Sequence, residues 1–167
     1  GHVTGVQTCA LPILRLQLKL QPSIPRFETE LLGGGDDFAY LNPYHQLMAQ
    51  QRLGFIPLVR DSHLLSGILV VRRDDPITDV RALEGRDIAF PAPNAFGASL
   101  WMRALLAERE RVTIRPVYVQ SHGNVYRQVA AGRMVAGGGI TQTLAQERDE
   151  VRQALRVLME TPGAAPH

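Results

Sequence analysis

The chain has 167 residues, 45% hydrophobic and 20% charged, an ordinary globular composition for one domain or two small lobes. Its 18 Lys and Arg stand interspersed with 16 Asp and Glu for a net charge of +2, so the basic block of a nucleic-acid binder is absent. No apolar run reaches the ~18 residues of a membrane span, and the single cysteine, Cys9, excludes an internal disulfide or a multi-thiolate metal site.

The opening Gly-His-Val-Thr-Gly-Val-Gln-Thr-Cys-Ala-Leu-Pro-Ile reads as a translated sequencing adapter. Residues 1–13 are therefore expected to be a non-native tail, and the lack of a leader there carries no information on location. From Leu14 the pattern becomes regular. Leu14, Leu16, Leu18 and Leu20 alternate with Arg15, Gln17 and Lys19, the period of a half-buried strand. Ser23 and Pro25 open a short helix that Gly33-Gly34-Gly35 stops. Asp37 to Leu41 reads as a strand. Asn42-Pro43 begins a helix closed by Gly54, and Phe55 to Arg60 is a further strand.

Ser66 to Arg72 is a buried strand. Thr78 to Leu83 predicts a short helix, and Asp87 to Phe90 the next strand. After Pro91-Ala92-Pro93-Asn94 the pattern predicts one long helix, Ala95 to Glu110. Val112 to Val119 is a strand, Asn124 to Arg133 a helix and Val135-Ala136 a very short strand. Gly137-Gly138-Gly139 is expected to turn into a helix from about Thr141 to Leu155, and Arg156 to Met159 is the last strand. Strands and helices alternate with short connections. That order specifies an α/β fold with mostly parallel sheets and helices on both faces, in which ligands bind where strand ends meet helix starts.

Four such junctions deserve weighing. At Phe90 to Ser99 two prolines stiffen a loop before a helix start rich in small residues. Unpaired amides and the helix dipole can hold an anion there, with Ser99 adding a hydroxyl. The plain alternative is a tight turn capped by Asn94. His122 lies past a strand end and before a helix, where it can donate to an oxyanion or simply face solvent. Tyr40, Asn42, Tyr44 and His45 cluster at another strand–helix junction and suit a mixed polar and apolar pocket. The Gly137-Gly138-Gly139 run lets a backbone approach a ligand or a neighbouring helix, but no Gly-Lys-Ser/Thr follows to make a P-loop. No nucleophile elbow and no H-E-x-x-H zinc motif occurs, and the histidines are scattered at His2, His45, His63, His122 and His167. No catalytic residue, metal or cofactor is expected.

Six segments together resemble one family. They are Pro22 to Glu28, Asp37 to His45, Gly67 to Arg72, Ala89 to Ser99, Ser121 to Tyr126 and Ala136 to Gly139, in that order. The chain from about Leu14 resembles the phosphate/phosphite/phosphonate substrate-binding proteins of ABC transporters (PhnD-like). The resemblance implies a type II periplasmic binding protein-like fold with two lobes closing on a ligand and an incomplete first lobe. On that template residues 14–73 are part of lobe 1, 74–160 are lobe 2, and 161–167 start a truncated return to lobe 1. It further implies that Asn94, Ala95, Phe96, Gly97, Ala98 and Ser99 cradle a small oxyanion, that His122 faces the cleft, and that Tyr44 contributes from the opposite lobe. Phosphonate binders often carry hydroxyl residues at the start of this helix. Ala95, Phe96 and Gly97 stand there instead, so backbone amides are expected to do most of the holding. The implied partner is an ABC permease or, for the same fold in a signalling protein, a sensor histidine kinase. Nucleic acid and direct membrane insertion are not expected. The implied location is periplasmic, free or lipid-anchored.

Overall fold

The computed structural model describes residues 15–165. The expected tail at 1–13, the strand start at Leu14, and His2, Cys9 and His167 lie outside them. Two helices come first. In α1 (Ile24–Gly33) the Ser23 hydroxyl accepts from the Arg26 amide at 3.3 Å, Pro25 sits in the first turn, and Gly34 ends the helix at φ 66°. In α2 (Pro43–Leu53) the Asn42 side chain accepts from the His45 amide at 2.9 Å and Gly54 closes in the left-handed region. Both follow the local capping logic of their sequences. They pack around Leu31, Leu41 and Ala49, with Phe27, Leu53 and Phe55 beside them. His45 is buried and its Nε2 meets Glu28 Oε1 at 2.9 Å, tying α2 to α1.

The rest is one sheet with helices on both faces. Its strands are β1 (Gly67–Arg72), β2 (Asp87–Phe90), β3 (Arg115–Tyr118), β4 (Ala136–Ile140) and β5 (Leu155–Glu160), in the order β3-β2-β4-β1-β5. β2 is parallel to β3 and β4, while β1 is antiparallel to both β4 and β5. Four strands thus point one way and β1 alone is reversed. β1 is an inner strand, between β4 and β5, so the sheet spans both sides of the expected boundary after residue 73. It shows why an unbroken apolar run makes a central strand: Leu69 and Val71 enter one core with Phe90, Met102 and Leu106, while Ile68 and Val70 enter the opposite one with Val125, Tyr126 and Val129. Helices α3 (Met102–Glu108) on one face and α4 (His122–Ala130) with α6 (Asp149–Ala154) on the other cover these cores.

Several expectations are corrected. Arg15–Leu20, Asp37–Leu41 and Phe55–Arg60 form no strand; they find no ladder partner among the described residues, and Leu16, Leu18 and Leu20 stay 79–80% exposed. Thr78–Leu83 yields only a 3₁₀ turn, Val80–Leu83. The Gly137-Gly138-Gly139 run is not a turn but the body of β4. A Cβ at Gly137 would lie 2.3 Å from Val125 Cγ1, and one at Gly139 2.1 Å from the Tyr126 hydroxyl, so the glycines admit helix α4 onto the strand. The expected helix Thr141–Leu155 is two, α5 (Thr141–Ala145) and α6, parted at the polar stretch Gln146–Arg148, which has no apolar residue to hold it to the sheet. The long helix after Pro93 begins with a π-helical turn, Phe96–Trp101, before α3.

Candidate functional site

The π-helical turn has a local cause. The Ala95 carbonyl accepts from both the Ser99 amide at 2.8 Å and the Leu100 amide at 3.0 Å, which widens the first turn. Ala95, not Asn94, occupies the cap position, and no side chain caps this turn. Among the described residues the amides of Phe96, Gly97 and Ala98 find no acceptor. They open beside a cavity of about 410 Å³ between the α1–α2 side and the sheet, at the ends of β2 and β4.

Seven of the ten expected site residues line that cavity: Tyr40, Asn42, Ala95, Phe96, Gly97, Ala98 and His122. Three do not. Ser99 is fully buried behind the turn, and its hydroxyl accepts from Arg103 Nε at 3.2 Å. Tyr44 stacks edge-on against the His45 ring, with centroids 5.4 Å apart. Asn94 takes part through its carbonyl, which accepts from Asn42 Nδ2 at 3.4 Å and joins the two sides of the cleft. Leu65, Ile140 and Gln142 complete the sheet side; Ile24, Phe27, Leu41, His45, Asp61 and His63 complete the other. A hydrophobic residue before a helix or a lone loop carboxylate carries no sequence signal of such a role. His45 was visible in the junction cluster with Tyr40, Asn42 and Tyr44, and His63 only as one of the scattered histidines.

No Lys or Arg stands among the described lining residues. The charge that this site offers an anion is therefore partial and comes from amides. His122 opens α4, where Ser121 caps by accepting from the Asn124 amide at 3.2 Å. Burial pushes its imidazole down to about 4, so the ring is neutral at pH 7 and supplies one N–H. Partial burial, and then the neighbouring Asp61 carboxylate, raise the Tyr40 phenol, which stays protonated and able to donate. Asp61 is held low by the His63 amide first and the His63 ring second, so it is ionised. A second cavity of about 490 Å³ continues past Tyr40, Phe27 and His122 toward Gln17–Ser23.

Neutral donors thus gather at the ends of β2 and β4, in a cleft between the α1–α2 side and the sheet. The family described as the ABC transporter phosphonate periplasmic substrate-binding protein matches residues 13–167. The chain belongs to this family. Its fold is that of the type II periplasmic binding proteins. PhnD1 from Prochlorococcus marinus in complex with methylphosphonate superposes with a TM-score of 0.71 at 13% identity, over 86% of this chain and 59% of that one. A binding protein component of an ABC phosphonate transporter from Pseudomonas aeruginosa gives 0.68 at 17% identity, over 83% and 52%. A Xanthomonas citri protein bound to chloride ion gives 0.67 at 22% identity, over 87% and 60%. At these identities the likeness is one of fold, and the chain spans only half to three-fifths of those relatives' length. No curated protein matches at the sequence level.

Proposed function

We propose that this chain is the ligand-capturing part of an ABC importer and that its guest is a small oxyanion of the phosphate, phosphite or phosphonate class. The observation that carries this reading is the trio of amides at Phe96, Gly97 and Ala98 that find no acceptor among the described residues, in residues that line a cavity shared with His122, Asn42 and Tyr40. Amides at a helix start carry partial positive charge and need no counter-ion to hold an oxyanion. The neutral His122 ring adds a directed donor, and the Phe96 and Phe27 rings leave room for an apolar substituent. Family membership supports a binding protein rather than an enzyme, a permease as partner, and an extracytoplasmic setting. Capture then proceeds by closure of the two sides across the Asn42–Asn94 contact.

Calorimetric titration of the full-length protein with phosphate, phosphite, methylphosphonate and sulfate tests this. At least one phosphorus oxyanion is expected to bind and to raise the unfolding temperature, by about 2.7 kcal/mol of stability at a hundredfold excess over Kd. His122→Ala should weaken that ligand about tenfold, the worth of one hydrogen bond to a charged group. Neither heat nor thermal shift with any phosphorus oxyanion would remove the reading.

A further inference from the structure

We propose that Gly67 and Thr161, neither of which lines the cavity, are positioning residues that aim the Ala98 amide into it. The chain passes from the α1–α2 side to the sheet at residues 64–66, and residues 161–164 make a second passage alongside it. The two passages are joined by a bridge in which Leu65 donates to Ala164 at 2.6 Å and Ala164 to Leu65 at 3.0 Å. One step inward is a tighter clasp. The Gly67 amide donates to Thr161 Oγ1 at 2.9 Å, and the Thr161 amide donates to the Gly67 carbonyl at 2.8 Å. The Thr161 hydroxyl donates in turn to the Pro162 carbonyl at 3.0 Å, which leaves its lone pairs for Gly67. Thr161 is only 4% exposed, so water cannot stand in for it.

The clasp is the seat of the ligand-facing turn. A Cβ on Gly67 would lie 2.1 Å from the Gly97 carbonyl oxygen and 2.6 Å from its carbon, so only a hydrogen fits between β1 and that peptide. From the other side, a Cβ on Gly97 would lie 3.2 Å from the Gly67 nitrogen. The Gly97–Ala98 peptide is trans and planar, so its C=O and N–H point in opposite directions. With the Gly97 oxygen pressed on Gly67, the Ala98 N–H must point away from β1. Ala98 lines the cavity and its amide is one of the three without an acceptor. The residues where the chain crosses between the two sides therefore fix the direction of an amide in the pocket. The consequence for affinity rests on the function proposed above; the aiming of the amide does not.

The test uses the full-length protein in two measurements: the backbone amide resonance and exchange rate of Ala98 without ligand, and calorimetric titration with methylphosphonate. Thr161→Val keeps the shape and removes the acceptor. It is expected to shift the Ala98 resonance, speed its exchange and weaken methylphosphonate about tenfold, as one lost hydrogen bond allows. Thr161→Ser restores the oxygen and should restore both readouts. Gly67→Ala should move Ala98 further and abolish measurable titration; if it does not fold, the threonine pair decides alone. An Ala98 amide unmoved by Thr161→Val, or moved equally by Thr161→Ser, overturns the proposal. A wild-type protein that ignores methylphosphonate counts against the functional reading for that ligand, while the Ala98 amide still decides the clasp.

Discussion

Two stretches of this chain carry apolar patterns that read as strands, one an unbroken run and one an alternation, and they meet different fates. Gly67–Arg72 becomes β1, paired on both edges and buried through Val71. Arg15–Leu20 alternates regularly, yet forms no strand and leaves its leucines in the open. Alternation states which side chains share a face. It does not supply the neighbouring backbone that a strand's N–H and C=O groups require. The same holds across the whole comparison. The sheet unit joins two cores through one central strand, whereas residues 15–63 hold a small cluster around two well-capped helices.

The sharpest way to break the comparison is to strike the sheet where it has least room. A Cβ on Gly138 would lie 2.0 Å from the Ala98 carbonyl oxygen and 2.5 Å from Phe90 Cδ1. The first contact is backbone and cannot swing aside. Gly138→Ala should therefore cost about 3 kcal/mol, the upper part of the overpacking range, read as a lower denaturant midpoint at unchanged slope. A midpoint within experimental error of wild type would mean that the two faces are less tightly held than their burial says.

What could be read in advance divides along the same line. The caps at Ser23, Asn42 and Gly54 were legible because a cap is a hydrogen bond or a left-handed φ within a few residues of itself. So was the buried run of β1, since both faces demand apolar side chains. The role of Gly137–Gly139 was not, because what excludes a side chain there is Val125, Phe90 and Tyr126, distant in sequence. At the site, the loop after Pro93 and His122 were recognisable from junction chemistry, and the cavity brings them together. Ser99 misled because its residue type suggests a donor to ligand, whereas its place on the turn points it at Arg103. Asp61 gave no sign, being one acidic residue in a stretch without period.

A smaller effect comes from His122, which stands where the two regions face each other. Its folded-state value, about 4, lies below its ordinary 6.5. The unfolded chain thus takes the proton first as pH falls. The stabilisation from a neutral, buried ring is complete above pH 6.5 and is lost as pH drops toward 4. After a discount for the part of the ring that water reaches, the loss is about 2 kcal/mol. His122→Gln should flatten stability across that window relative to wild type in urea titrations at pH 7 and pH 4.5. Equal slopes in the two proteins would mean that the ring is solvated and titrates normally.

The smallest effect is expected where the pattern promised most. Leu18 is 80% exposed and finds no ladder partner among the described residues, although it sits at the centre of the alternating run. Removing its side chain takes away no buried area, so Leu18→Ser should change stability by less than about 0.5 kcal/mol, as for an ordinary surface position. Leu69, of the same residue type but fully buried in β1, should cost about 2–5 kcal/mol as Leu69→Ala. Measured together on the chain described here and on a longer version carrying more of the protein, the pair has diagnostic value. If residues 15–20 acquire a ladder partner in the longer chain, the cost of Leu18→Ser rises toward that of Leu69→Ala while the latter stays constant. If Leu18→Ser remains silent in both, the alternating leucines never form a buried strand. The first region's pattern would then need an explanation other than pairing.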